Sequence, residues 1–135
     1  MKTLENGRAP DIVVGHQDHD RLAALADAAL DTLPLLAETL LAELERARLV
    51  ADERMPTTVV RMGSTVEYEA ADGRRSVELV YPEDADIARG RISVLTPIGT
   101  ALLGLSAGQS IRWLTRDGRD QRLTVVAVAP PPAAA

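Results

Sequence analysis

The spacing of apolar residues changes period once along this chain, and that change limits the fold more than any other feature. Leu22, Leu25, Ala26, Ala29 and Leu30, then Leu36, Leu40, Leu44 and Ala47, recur at the three- and four-residue steps of one helix face. From Thr58 the step becomes two. Val66 and Tyr68 alternate with Thr65, Glu67 and Glu69, and Val77, Leu79 and Tyr81 alternate with Ser76 and Glu78. Ile111 and Trp113 alternate with Ser110 and Arg112, and Leu123, Val125 and Ala127 close the series. Helices come first and strands afterwards, which predicts an α+β chain.

The helical half reads as a hairpin. Asp18 is placed to cap a first helix, with Asp20 favourable in its first turn. Asp31-Thr32-Leu33-Pro34 interrupts it, because a proline biases the preceding residue away from helical geometry. Pro34 then opens a second helix expected to run to about Val50, with Leu33 and Leu41 beside its stripe. So short a connection makes the two helices antiparallel. Helices of roughly 13 to 17 residues extend about 20 to 25 Å. At that length they are marginal alone, so the hairpin must pack on itself and on something at its base.

In the second half, Asp72-Gly73 and Asp117-Gly118 signal tight turns, Pro82 stops a strand, and residues 83–90 form an acidic loop. Residues 92–108 carry the densest punctuation. Ile92 and Val94 open as a strand, Thr96 can cap a short helix, and Pro97 suits its first position. Ile98, Ala101 and Leu102 share one face of that helix. Gly104 falls where its end wants a left-handed residue, and Gly108 marks a turn. About five antiparallel strands with one short helix are expected. The chain thus divides into an extended segment 1–15 with a mobile tail at 1–10, a hairpin 16–54, a β unit 55–129 and a disordered, proline-rich tail 130–135.

Charge narrows the partners. Residues 16–54 carry nine acids and four bases, whereas residues 55–135 carry nine of each, so the whole net charge of −5 sits on the hairpin. An acidic prong repels a phosphate backbone, which disfavours direct nucleic-acid binding. No apolar run approaches the roughly 20 residues of a membrane span, and the N-terminus lacks a secretory hydrophobic stretch, so a cytoplasmic protein is expected.

Catalytic equipment is sparse. There is no cysteine, and His16 and His19 lack ligand partners at metal-site spacing. No glycine-rich loop follows a strand in phosphate-binding form. Glu67 and Glu69 read as one solvent-facing row, and Trp113 and Tyr68 as core. No enzyme, cofactor or metal is expected.

One combination is more specific. Met55-Pro56 and Gly63-Ser64-Thr65-Val66 enter the β unit, Val80-Tyr81-Pro82 ends a strand, and Ile92-Ser93 leads to Thr96-Pro97-Ile98-Gly99-Thr100-Ala101-Leu102-Leu103-Gly104 and then Gly108. Behind an acidic helical hairpin, this resembles the nucleoside diphosphate kinase regulator (Rnk) branch of the bacterial GreA/GreB transcription elongation factor family. The likeness runs from Asp11 to about Val128.

The resemblance implies a short coiled-coil hairpin joined to an FKBP-like C-terminal domain. It implies that the C-terminal domain docks at the rim of the secondary channel of RNA polymerase while the hairpin enters the channel. The docking loop maps to Leu95, Thr96, Pro97 and Ile98. The cleavage factors have an acidic residue where this chain has Leu95, so an apolar contact is expected here. They also carry two metal-delivering carboxylates on hairpins roughly twice as long. A prong shorter by about 20 Å cannot bring an oxygen to the ~2.0–2.1 Å that magnesium demands. Asp27 and Asp31 at the tip are therefore read as electrostatic.

The expectation is a monomeric, polymerase-binding transcription regulator without cleavage activity, affecting nucleoside diphosphate kinase levels. Two other readings compete. An FKBP-like peptidyl-prolyl isomerase would need an aromatic pocket built from Tyr68, Tyr81 and Trp113. A helical-hairpin adapter would expose leucines along the hairpin.

Overall fold

The first helix, α1 (His16–Ala29), buries Leu22, Ala26 and Ala29. A computed structural model describes residues 11–114 and 117–131, without the side chains of Trp113 and Leu114. The expected tail at 1–10, the end of the chain past 131 and a core role for Trp113 lie outside those residues. The second helix, α2 (Pro34–Arg46), buries Ala37, Leu40, Leu44 and Glu43, and Pro34 occupies its first turn as expected. Glu43 is tolerated inside because Arg46 Nη2 sits 2.7 Å from its carboxylate. With helices of 14 and 13 residues, the prong is about 20 Å long.

Both helix boundaries at the hairpin base differ from expectation, for one reason. α1 begins at His16, so Asp18 lies inside the first turn instead of capping it. α2 stops at Arg46 instead of Val50, because Ala47 turns extended and the Arg48 N–H donates to the Ile12 carbonyl at 3.0 Å. Two short strands form there, β1 (Val13–Gly15) and β2 (Arg48–Val50), paired in parallel. Ile12 and Val14 are each only 2% exposed, so this N-terminal strand contributes to the core.

The remaining strands are β3 (Thr65–Ala70), β4 (Gly73–Val80), β5 (Arg91–Ser93), β6 (Ser110–Leu114) and β7 (Asp120–Ala129). They form one sheet in the order β5-β4-β3-β7-β6. The five strands match expectation, with two local corrections, the first being that β5 runs parallel to β4. Between them the chain makes two single 3-10 turns, Pro82–Asp84 and Ile87–Arg89, and so returns in the same direction. A second correction concerns β7. The pairing with β3 skips Val126, which moves Ala127 out to solvent and brings Val128 against the core.

A short helix, α3 (Pro97–Leu102), lies against both β6 and α2. One apolar core runs through the whole molecule. It joins Leu22, Ala26 and Leu40 of the hairpin to Val66, Leu79, Leu102, Leu105, Ile111 and Leu123 of the sheet unit. None of the helices among the described residues is long and apolar enough to cross a membrane.

Candidate functional site

The loop from β5 into α3 is held by its own side chains. The Leu95 N–H donates to Ser93 Oγ at 3.0 Å, and the Thr96 hydroxyl donates to the Ser93 carbonyl at 2.7 Å. Thr96 Oγ1 in turn accepts from the Gly99 N–H at 3.0 Å, the helix cap the sequence predicted. The Thr100 hydroxyl donates to the Val94 carbonyl at 2.7 Å. These hydroxyls lock a loop whose outer edge is apolar.

The four candidate docking residues separate on this frame. Leu95 is turned into the core at 8% exposure. Thr96 is half-buried with its hydroxyl engaged at both ends. Pro97 and Ile98 are half-buried, with Ile98 resting on the core by one side. Pro97 and Ile98 are thus the apolar surface this loop presents. Leu102 is fully buried and belongs to the core.

At the other end of the hairpin, Asp27 and Asp31 are both exposed. Between the helices, the Leu33 N–H donates to the Ala29 carbonyl at 2.8 Å, and the Ala37 N–H donates to the Leu33 carbonyl at 2.9 Å. Leu33 and Leu35 remain 43% and 79% exposed there. Sequence reading placed Leu33 beside the α2 stripe, but in the structure it stands at the tip. Among the described residues, no group of three or more His, Asp or Glu side chains is placed to hold a metal ion.

A polar junction fixes the prong to the sheet unit, and sequence reasoning missed it. The Asp52 carboxylate accepts from the Gln17 N–H at 3.2 Å, capping α1 from 35 residues away. Asp18 reaches past its own helix to accept from the Met62 N–H at 3.2 Å. The Arg21 guanidinium lies 3.6 Å from the Tyr81 ring centroid and 3.0 Å from the Glu83 carboxylate. No spacing rule could reveal partners this far apart in sequence. Burial, and secondarily the Asp18 charge, push the Tyr81 phenol up to about 12.

Burial also pushes the Asp18 carboxyl up, against the lowering effects of the Met62 N–H and the Arg61 guanidinium. The native chain therefore holds that proton more tightly than the unfolded chain does. The ionised group costs stability at neutral pH, and the cost fades as pH falls towards the ordinary value of 3.8. Asp18→Asn keeps an acceptor for Met62 without the charge. It is expected to melt higher than the parent at pH 7, with the gap closing towards pH 4 in thermal melts.

Comparison with known proteins follows the same two-part plan. Residues 55–130 match the family model described as transcription elongation factor, GreA/GreB, C-term. Residues 10–50 match one described as Rnk N-terminus. The chain is 38% identical to the "Regulator of nucleoside diphosphate kinase" of Escherichia coli strain K12 over 129 residues, covering 93% of this chain and 94% of that one. It is 37% identical to the "Transcription elongation factor GreA" of Rhodospirillum rubrum over 68 residues, 49% of this chain and 43% of that one. Among solved structures, a GreA/GreB elongation factor from Nitrosomonas europaea superposes with a TM-score of 0.72 at 36% identity. That match covers 88% of this chain and 99% of the other.

Proposed function

This chain belongs to the GreA/GreB transcription elongation factor family, with an Rnk-type N-terminus, and from that premise we propose that it binds RNA polymerase at the secondary channel and regulates transcription without cleaving RNA. The observation that carries the reading is a GreA/GreB-type C-terminal unit bearing a prong of only 14 and 13 helical residues. The β unit supplies the grip through Pro97 and Ile98. The prong supplies the plug, with a length of about 20 Å and a negative surface. Asp27 and Asp31 act on the approach to a basic channel mouth and deliver no metal. The relative is named for regulating nucleoside diphosphate kinase, and we take such regulation by this chain to act through transcription, on the level of the kinase.

Neither competing reading gains support from the side chains. Tyr68 is 5% exposed, and the Tyr81 ring is covered by Arg21, so neither tyrosine lines an open cleft for proline. Leu22, Leu40 and Leu44 along the prong are buried, and the two exposed leucines, Leu33 and Leu35, are confined to its tip, too few for a leucine seam running along the helices.

The test is gel filtration of the chain with core RNA polymerase, repeated with a transcript cleavage factor in excess. Co-elution that the cleavage factor abolishes is the expected result. Failure to co-elute, or simultaneous binding of both factors, contradicts the proposal.

A further inference from the structure

The tip of the prong contains an arrangement that plugging alone does not require. Along the two helices and their connection, Leu22 and Leu40 are 0% exposed and Leu44 is 3%, while Leu25, Leu30, Leu36 and Leu41 are half-buried. Leu33 and Leu35 are the exceptions, at 43% and 79%, and both stand at the far end from the sheet. They are not on a floppy loop. Leu33 is tied by backbone hydrogen bonds to Ala29 and Ala37, and the Leu35 carbonyl accepts from the Thr39 hydroxyl at 2.8 Å. Two leucines two residues apart, held out on ordered backbone, leave apolar surface at the tip ready to be covered.

The surrounding charge selects what covers it. From residue 22 to residue 45 the chain carries five acids and no base. Glu43 is buried against Arg46, which leaves Asp27, Asp31, Glu38 and Glu45 exposed around this surface and along the prong. A second copy of this tip would bring like charges together, and an anionic membrane surface would repel it. A basic protein surface with an apolar notch complements both features.

We propose that Leu33 and Leu35 seat in an apolar notch of RNA polymerase bordered by basic side chains, with Asp27 and Asp31 facing those bases. This rests on the polymerase-binding reading above. The prong is then anchored at its end as well as at its base, and Leu33 and Leu35 contribute affinity where the carboxylates contribute orientation and encounter rate.

The experiment measures affinity for core RNA polymerase with three proteins: the parent chain, Leu33→Gln with Leu35→Gln, and Ile98→Glu. The glutamines leave charge unchanged and replace exposed side chains, so an unaltered melting temperature is the folding control. The double glutamine variant is expected to bind about tenfold or more weakly, the scale of burying leucine surface. Parent-like affinity of that variant, alongside weakened Ile98→Glu, overturns the tip contact and leaves polymerase binding intact. No binding by the parent overturns both. Light scattering runs in parallel: concentration-dependent self-association of the parent that the glutamines abolish assigns the leucines to a second copy and overturns the proposal.

Discussion

Gly99→Ala is expected to lower stability by about 3 kcal/mol, the upper part of the range for overpacking. A methyl group at this position would overlap the Ser93 carbonyl oxygen outright and come within 2.9 Å of both Val94 Cα and Thr96 Oγ1. Two of the three obstacles are backbone atoms and cannot rotate aside. Relief requires α3 to lift away from the end of β5, which breaks the Thr96 cap and shifts Pro97 and Ile98 together. The melting temperature should fall by roughly 10 °C.

Two other glycines calibrate the effect. Gly104 has φ 79°, and a methyl there would lie 2.7 Å from Ile12 Cβ, where the N-terminal strand crosses the end of α3. Gly104→Ala combines left-handed strain with overlap and should cost about 2–4 kcal/mol. Gly108 has φ 92° but open space around it, so Gly108→Ala should cost only about 1–2 kcal/mol. A flat ranking of the three in chemical denaturation would mean that α3 is not packed flush on the loop.

The second large effect is on binding. Pro97→Glu combined with Ile98→Glu should weaken the complex with core RNA polymerase about 100-fold, which is about 2.7 kcal/mol. These two residues form the outward apolar edge of a loop already locked by Ser93, Thr96 and Thr100. Such a preordered surface loses little entropy on docking, and truncation of its anchors removes most of the gain. Glutamate at the first helical position is compatible with α3, since acids suit a helix N-terminus. Ile98 rests partly on the core, so a thermal melt must accompany the titration. Unchanged affinity in the folded double variant would move the docking surface elsewhere.

How far the residues alone led can be seen element by element. Local signals were dependable. The Thr96 cap, Pro34 and Pro97 at helix starts and the left-handed Gly104 and Gly108 all stand where spacing put them. Each depends on atoms within about four residues. Errors arose where distant partners decided the outcome. Asp18 looks like a cap by position, yet Asp52 takes that role and frees Asp18 for Met62. Residues 48–50 fit the end of a helix by composition, but a free backbone edge at Ile12 draws them into a strand.

The candidate site divides in the same way. The loop that presents Pro97 and Ile98 could be read from its own punctuation. That Leu95 points inward could not, because only the packing of β4, β5 and α3 fixes which side of the loop is covered. Leu33 follows a helical pattern and so reads as part of the stripe of the second helix. Only the finished hairpin reveals that Leu33, in the connection after α1, and Leu35, in the first turn of α2, are left exposed.

The most direct measurement uses halted, backtracked elongation complexes with magnesium, a saturating amount of this protein, and RNA cleavage followed over time. A prong of about 20 Å should leave cleavage at the intrinsic polymerase rate, and should slow a cleavage factor added alongside it. Acceleration of cleavage by this protein alone would contradict the account.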